Sequence, residues 1–177
     1  MKEGQAVIRP LSEMVVIAIG GNVAWRETSS LHATCEAAVK AISALPELTD
    51  PVLSRWYRTE AIPAGSGPDY VNGVLRVRAS GIESEGLLAA LLAIEVRFGR
   101  VRDVPNAPRT LDLDLIDVGG RVRAEADPIL PHPRAHLRAF VLRPLADVCP
   151  DWRHPTLGLT VGALLAALPP QIIEPLG

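Results

Sequence analysis

The first apolar run, Met14–Ile19 (MVVIAI), has no polar position, as expected of a strand at the centre of a sheet. It stops at Gly20-Gly21-Asn22, a turn signal. Leu31, Cys35, Ala38, Val39, Ile42 and Leu45 then recur at helical spacing. Thr28, Ser29 and Ser30 offer an N-cap, and Pro46 ends the helix. Pro51–Thr59 alternates loosely and reads as one strand containing Trp56 and Tyr57. The segment 61–69 (AIPAGSGPD), with two prolines and two glycines, reads as a loop. Tyr70–Ala79 alternates with period two, setting Val71, Leu75 and Val77 against Asn72, Arg76 and Arg78. The pattern weakens at Gly73-Val74, which admits a bulge. A second helix over 84–98 buries Leu87, Leu88, Leu91, Leu92, Ile94 and Phe98, with Gly99 as C-cap. After a polar loop, 100–110, Leu111–Val118 (LDLDLIDV) is a strand. Gly119-Gly120 turns it toward a hairpin partner at Arg121–Ala124. Residues 129–150 start extended and pass into a short helix, and Val161–Leu168 is a last helix candidate. The order β-α-β-β-α-β predicts a ferredoxin-like α+β fold, an antiparallel sheet with helices packed on it. With 177 residues, no internal repeat and no linker, the chain is expected to form one domain over 14–177 behind a flexible leader, 1–13.

Charge and composition exclude more than they add. Eighteen Lys+Arg against 20 Asp+Glu give a net charge of −2, unlike a chain with a broad basic face for nucleic acid. No apolar run reaches the roughly 18 residues of a membrane span. The opening MKEGQAVIRPLSE is polar and acidic, so it does not read as a signal peptide. Cys35 and Cys149 are too few for a disulfide framework. The expectation is a cytoplasmic monomer or weak dimer with no membrane or nucleic-acid partner. Of the cations, 16 are Arg, and eight of these lie between positions 97 and 138. A GC-rich genome accounts for such a bias, and so does bidentate phosphate binding.

The candidate chemistry centres on Leu111-Asp112-Leu113-Asp114-Leu115. Residues two apart on a strand share a face, so the leucines point to a core and both carboxylates to the opposite surface, their Cα atoms about 7 Å apart. Such a pair suits Mg²⁺, which takes one or two carboxylates plus water and substrate phosphates; a solvated acidic edge strand has the same pattern. Arg100, Arg102 and Arg109 precede the pair, and His132 and Arg138 follow it, a set suited to a triphosphate or to an ordinary solvated surface. No Walker A sequence is present, so a phosphate site here would be built from side chains. The prolines around His132 stiffen it, whether to aim the imidazole or to make a turn. Tyr70, Asn72 and Phe140 could hold a flat heteroaromatic ring, or pack in a core. Cys35 reads as core, and His32 and His154 as surface.

Together these segments resemble the 6-hydroxymethyl-7,8-dihydropterin pyrophosphokinase family of folate biosynthesis. The resemblance rests on AIGGN (18–22), YRTEA (57–61), PDYVN (68–72), LLAIEVRFGRVR (91–102), PRTLDLDLI (108–116) and LPHPRAHLRAFVLRPLADVCPD (130–151). It implies transfer of pyrophosphate from ATP to the pterin hydroxymethyl group, releasing AMP. It also implies that Asp112 and Asp114 bind two Mg²⁺ ions, and that Glu95, Arg100, Arg102, Arg109, His132 and Arg138 form the ATP site. Thr59, Ile62, Tyr70, Asn72 and Phe140 would form the pterin site. Arg100, Arg109, Asp112 and Asp114 would carry the catalysis. The chain departs from the family pattern at Asn106-Ala107, where Trp-Gly is usual, at Ala61 and Pro63, and at Gly21, where Ser is common. These departures leave a competing expectation, a catalytically silent nucleotide- or pterin-binding module on the same fold. An RNA-binding ferredoxin-like domain ranks below both, because its aromatic strand signature is absent.

Overall fold

In the computed structural model, which describes residues 12–61, 67–100 and 108–176, the first apolar run becomes the central strand β1 (Glu13–Gly21). It starts one residue inside the stretch read as leader, with Glu13 opposite Ala79. β1 pairs antiparallel with β4 (Tyr70–Ala79) on one side and β5 (Asp112–Val118) on the other. β2 (Leu48–Leu53) and β3 (Tyr57–Thr59) pair with successive parts of β4, and β6 (Glu174–Pro175) pairs with β3. The order β5-β1-β4-β3-β6, with β2 also on β4, realises the expected α+β topology.

The single strand expected over 51–59 is two strands. Ser54 N–H donates to Val74 O (2.9 Å) and Ser54 Oγ accepts from Val74 N–H (2.9 Å), so both ladder bonds of Val74 close on one residue. The chain then turns Trp56 flat onto Gly73, where a Cβ would come within 2.5 Å of the indole. Gly73 is therefore space for a ring; β4 itself pairs with β1 without a bulge from Val71 to Ala79. The bulge lies in β5. Ile17 faces Leu115 and Val16 faces Asp117, leaving Ile116 unpaired on β1. Arg121–Ala124 are not a hairpin partner of β5. Gly119 and Gly120 make the turn with positive φ, but Arg123 bridges to Leu130. The side chains of Arg121 and Arg123 reach out to Glu13, Glu83 and Glu85.

Two cores flank the sheet. α1 (Leu31–Ser43) and α2 (Ser84–Arg97) bury Cys35, Ala38, Ile42, Leu87, Leu91 and Ile94 against Val15, Ile17, Leu75, Val77, Leu113 and Leu115. Ser30 caps α1, its Oγ accepting from Ala33 N–H at 3.1 Å. Burial pushes the Cys35 thiol up to about 12. On the other face α3 (Ala139–Val148) and α4 (Val161–Ala167) pack on Val16, Val74 and Ile116. His32 is exposed as expected, but His154 is only 4 % exposed. Its Nδ1 accepts from the N–H groups of Thr156 and Leu157 and closes the turn before Gly158. Among the described residues no helix is long and apolar enough to cross a membrane.

Asp147 ties α3 to the β2–β3 side of the sheet. It accepts from Arg55 Nη2 (2.7 Å) and Tyr57 Oη (2.9 Å). Burial pushes its carboxyl up, but the bonds from Arg55 and Tyr57 outweigh this and hold it below the usual carboxylate range. A carboxyl lowered by folding stabilises above its unfolded pKa and loses that contribution as pH falls through the folded value. Urea midpoints across a pH series are therefore expected to fall below about pH 4, with a shallower fall in Asp147→Asn. Equal acid slopes would remove Asp147 from the acid response.

Candidate active site

The helices of the second face cover only part of it. Beyond Val16 and Val74, the ladder runs across the sheet as Val74–Ala18–Asp114 and then Asn72–Gly20–Asp112. Small residues on β1 keep this floor low; a Cβ on Gly20 would lie 3.0 Å from Asn72 Oδ1. Above the floor lies a cleft of about 670 Å³. Arg100, Arg109, Asp112, Asp114, His132 and Arg138 line one part of it; Thr59, Tyr70, Asn72 and Phe140 also face it. The alternation in LDLDL thus does what its period implies. Leu111, Leu113 and Leu115 are buried, while both aspartates face the opposite way into the cleft.

The two carboxylates have different surroundings. Asp112 Oδ1 accepts from Arg100 Nη1 and Oδ2 from Arg109 Nη1 (2.6 Å). Burial pushes its carboxyl up, but the Arg100 hydrogen bond and the charges of Arg100 and Arg109 outweigh burial and hold it low. Among the described residues Asp114 has looser partners, His132 Nε2 at 3.9 Å and Arg138 Nη1 at 3.8 Å. Burial and then the charge of Asp112 raise its carboxyl above the ordinary value. His132 is lowered by burial, which outweighs the pull of Asp114. Its Nδ1 accepts from Arg134 N–H (3.2 Å), which leaves the proton of a neutral ring on Nε2, toward Asp114. Its backbone N–H is bonded to Ile116 O at 2.9 Å.

The turn after β1 fixes the segment before β5. Asn22 N–H donates to Arg109 O (3.0 Å) and Asn22 Oδ1 accepts from Arg109 N–H (2.8 Å). Gly21 is required for this approach, since a Cβ there would lie 2.6 Å from Thr110 O. Asn72 donates to Thr59 Oγ1 (3.0 Å), orienting its amide, and Arg138 stacks over Phe140 at 5.4 Å.

Glu95 is not in the cleft. It is 1 % exposed behind Arg100, and its Oε1 accepts from Arg100 Nη1 (3.1 Å) and Leu113 N–H (2.7 Å). Arg102 and Ile62, together with Pro63, Asn106 and Ala107, lie outside the described residues. Glu60, inside the segment 59–62 expected to give the pterin backbone contacts, lines the cleft; sequence reasoning missed Arg134 and the tail residues Pro170–Ile173, which line it too. For Arg134 the signal was present, in the PHPR run beside His132.

The donor set suits a hard cation that brings its own water and phosphate ligands. Among the described residues no group of three or more His, Cys, Asp or Glu could enclose a metal, but Mg²⁺ needs only one or two carboxylates. Asp112 and Asp114 provide these. The guanidiniums on Asp112 would have to share it or move to the phosphates.

The sequence model of the 7,8-dihydro-6-hydroxymethylpterin-pyrophosphokinase family matches residues 16–150. A 2-amino-4-hydroxy-6-hydroxymethyldihydropteridine pyrophosphokinase of Synechocystis is 38% identical over 150 residues, 85% of this chain and 73% of that protein. The protein of the same name from Pseudomonas aeruginosa is 38% identical over 162 residues, 92% of this chain and 96% of that one. In fold the chain is similar to a crystal structure of an HPPK-DHPS in complex with substrates, at a TM-score of 0.66 and 11% identity. That match takes in 89% of this chain and 44% of the other.

Proposed function

The chain belongs to the 7,8-dihydro-6-hydroxymethylpterin-pyrophosphokinase family, enzymes that transfer pyrophosphate from ATP to 6-hydroxymethyl-7,8-dihydropterin in folate synthesis, and we propose that the cleft described above is where this chain does so. The observation that carries this reading is one floor shared by two chemistries. Asp112 and Asp114 sit among Arg100, Arg109, His132 and Arg138, and Tyr70, Asn72 and Phe140 line the same cleft.

Asp112 and Asp114 would hold two Mg²⁺ ions, whose chemistry is to neutralise and orient the triphosphate oxygens. Arg100 and Arg109, drawn off Asp112 by a phosphate, would place positive charge where it builds on the transferring and leaving groups. His132 Nε2–H and Arg138 would bind phosphate oxygens on the other side of Asp114. Asn72, its amide oriented by Thr59, would read the pterin edge, while Tyr70 and Phe140 supply ring faces. Arg102 and Ile62 are assigned to the ATP and pterin sites on the family motif alone. With both substrates in one cleft, much of the rate comes from alignment of the hydroxyl with the β-phosphorus. Glu95 would act on ATP indirectly, through Arg100.

Incubated with Mg²⁺ and ATP, the protein is expected to release AMP only when 6-hydroxymethyl-7,8-dihydropterin is added, and to stop when EDTA is added. Folded protein that binds ATP yet forms no AMP with the pterin would leave the silent binding module as the better reading.

A further inference from the structure

α3 begins without a cap of its own. Arg138 occupies the N-cap position, and its side chain has donors but no acceptor. The first N–H of the helix, that of Ala139, is instead bonded to Gln171 Oε1 at 2.9 Å, from 32 residues further along the chain. The same carboxamide donates Nε2 to Leu137 O at 3.1 Å. One side chain thus spans the junction between the 3₁₀ turn Ala135–Leu137 and α3. The residues on either side of Ala139 are Arg138 and Phe140, both facing the cleft.

Gln171 is itself held from both sides. Pro169-Pro170 stiffen the approach from α4. Beyond it, Glu174 pairs with Arg58 both in the β6–β3 ladder and through a 2.6 Å ion pair, and Leu176 N–H bonds Trp56 O at 2.8 Å. The tail is therefore a strap from α3 to β3 along the cleft, and Ile172 and Ile173 line it on the way.

We propose that Gln171 is a positioning residue for the pyrophosphokinase reaction: by clamping Leu137 C=O and Ala139 N–H it holds Arg138 toward the triphosphate and Phe140 toward the pterin. This rests on the roles given to Arg138 and Phe140 above. The carboxamide accepts through its oxygen and donates through its nitrogen, so one side chain serves both groups. Glutamate keeps the acceptor for Ala139 N–H and suits a helix N-terminus, but cannot donate to Leu137.

The test compares the full chain with Gln171→Ala and Gln171→Glu. It measures the thermal midpoint, exchange of the Ala139 amide, and separate affinities for a non-hydrolysable Mg²⁺-ATP analogue and for the pterin. Gln171→Ala is expected to melt close to the unsubstituted chain, to exchange Ala139 faster, and to weaken both affinities by about five- to tenfold. Gln171→Glu is expected to restore Ala139 protection and part of both affinities. Affinities in Gln171→Ala within twofold of the unsubstituted chain would overturn the proposal, as would equal weakening in both variants. Should the unsubstituted chain bind neither ligand, the functional reading fails separately. Ala139 exchange then decides the clamp, and unchanged protection in Gln171→Ala overturns it.

Discussion

Asp112→Asn is expected to lower pterin-dependent AMP formation by about 10³-fold while leaving ATP bound, the size of effect seen when a charge aimed at the reacting centre is lost. A neutral amide is a poor ligand for a hard cation, so the proposed metal-holding pair would be halved. The second half of the expectation follows from the partners of Asp112. Arg100 and Arg109 both donate to it, and in the variant their charges are unopposed at that position. Metal-free ATP, measured by equilibrium binding in EDTA, is expected to bind the variant up to about fivefold more tightly. Turnover within tenfold of the unsubstituted chain would remove Asp112 from that role.

The largest effect on stability is expected at Glu95. Its carboxylate is buried and bonds both Leu113 N–H and Arg100, so it fastens α2 to β5 directly beneath the two aspartates. Glu95→Ala leaves the buried Leu113 N–H without this partner and removes one acceptor from the half-buried Arg100 guanidinium, and is expected to cost about 3 kcal/mol in urea unfolding. Glu95→Gln retains an acceptor for Leu113 and should cost about 1 kcal/mol, with ATP affinity little changed. A large loss of ATP affinity at unchanged stability in Glu95→Gln would instead mean that the carboxylate meets the nucleotide itself.

Much of the site was legible because it is written in strand periodicity. LDLDL could bury its leucines only by turning both aspartates the other way, and α1, α2 and β4 follow equally plain patterns. The alternation of β4 concealed the second core. Val74 is as buried as its odd-numbered neighbours because α3 and α4 cover that part of the face, and Asn72 is enclosed on the cleft floor, bonded to Thr59. The break between β2 and β3 depends on a serine hydroxyl standing in for a backbone carbonyl, which no hydrophobic pattern records. The tail carries no periodicity. Its place along the cleft comes from Gln171, Glu174 and a two-residue ladder, all long-range pairings. His154 looked like a surface histidine because its partners are main-chain N–H groups that every sequence has.

The bulge in β5 has a consequence for His132. Without Ile116 the strand would still run from Leu115 opposite Ile17 to Asp117 opposite Val16, and Asp112 and Asp114 would still look into the cleft. What would vanish is a carbonyl with no counterpart on β1, the one that His132 N–H takes at 2.9 Å. The supernumerary residue is thus a mooring post. β5 is the edge strand of the sheet, with main-chain oxygens turned away from β1, and the extra residue sets one of them beside the acidic pair, where the imidazole is berthed.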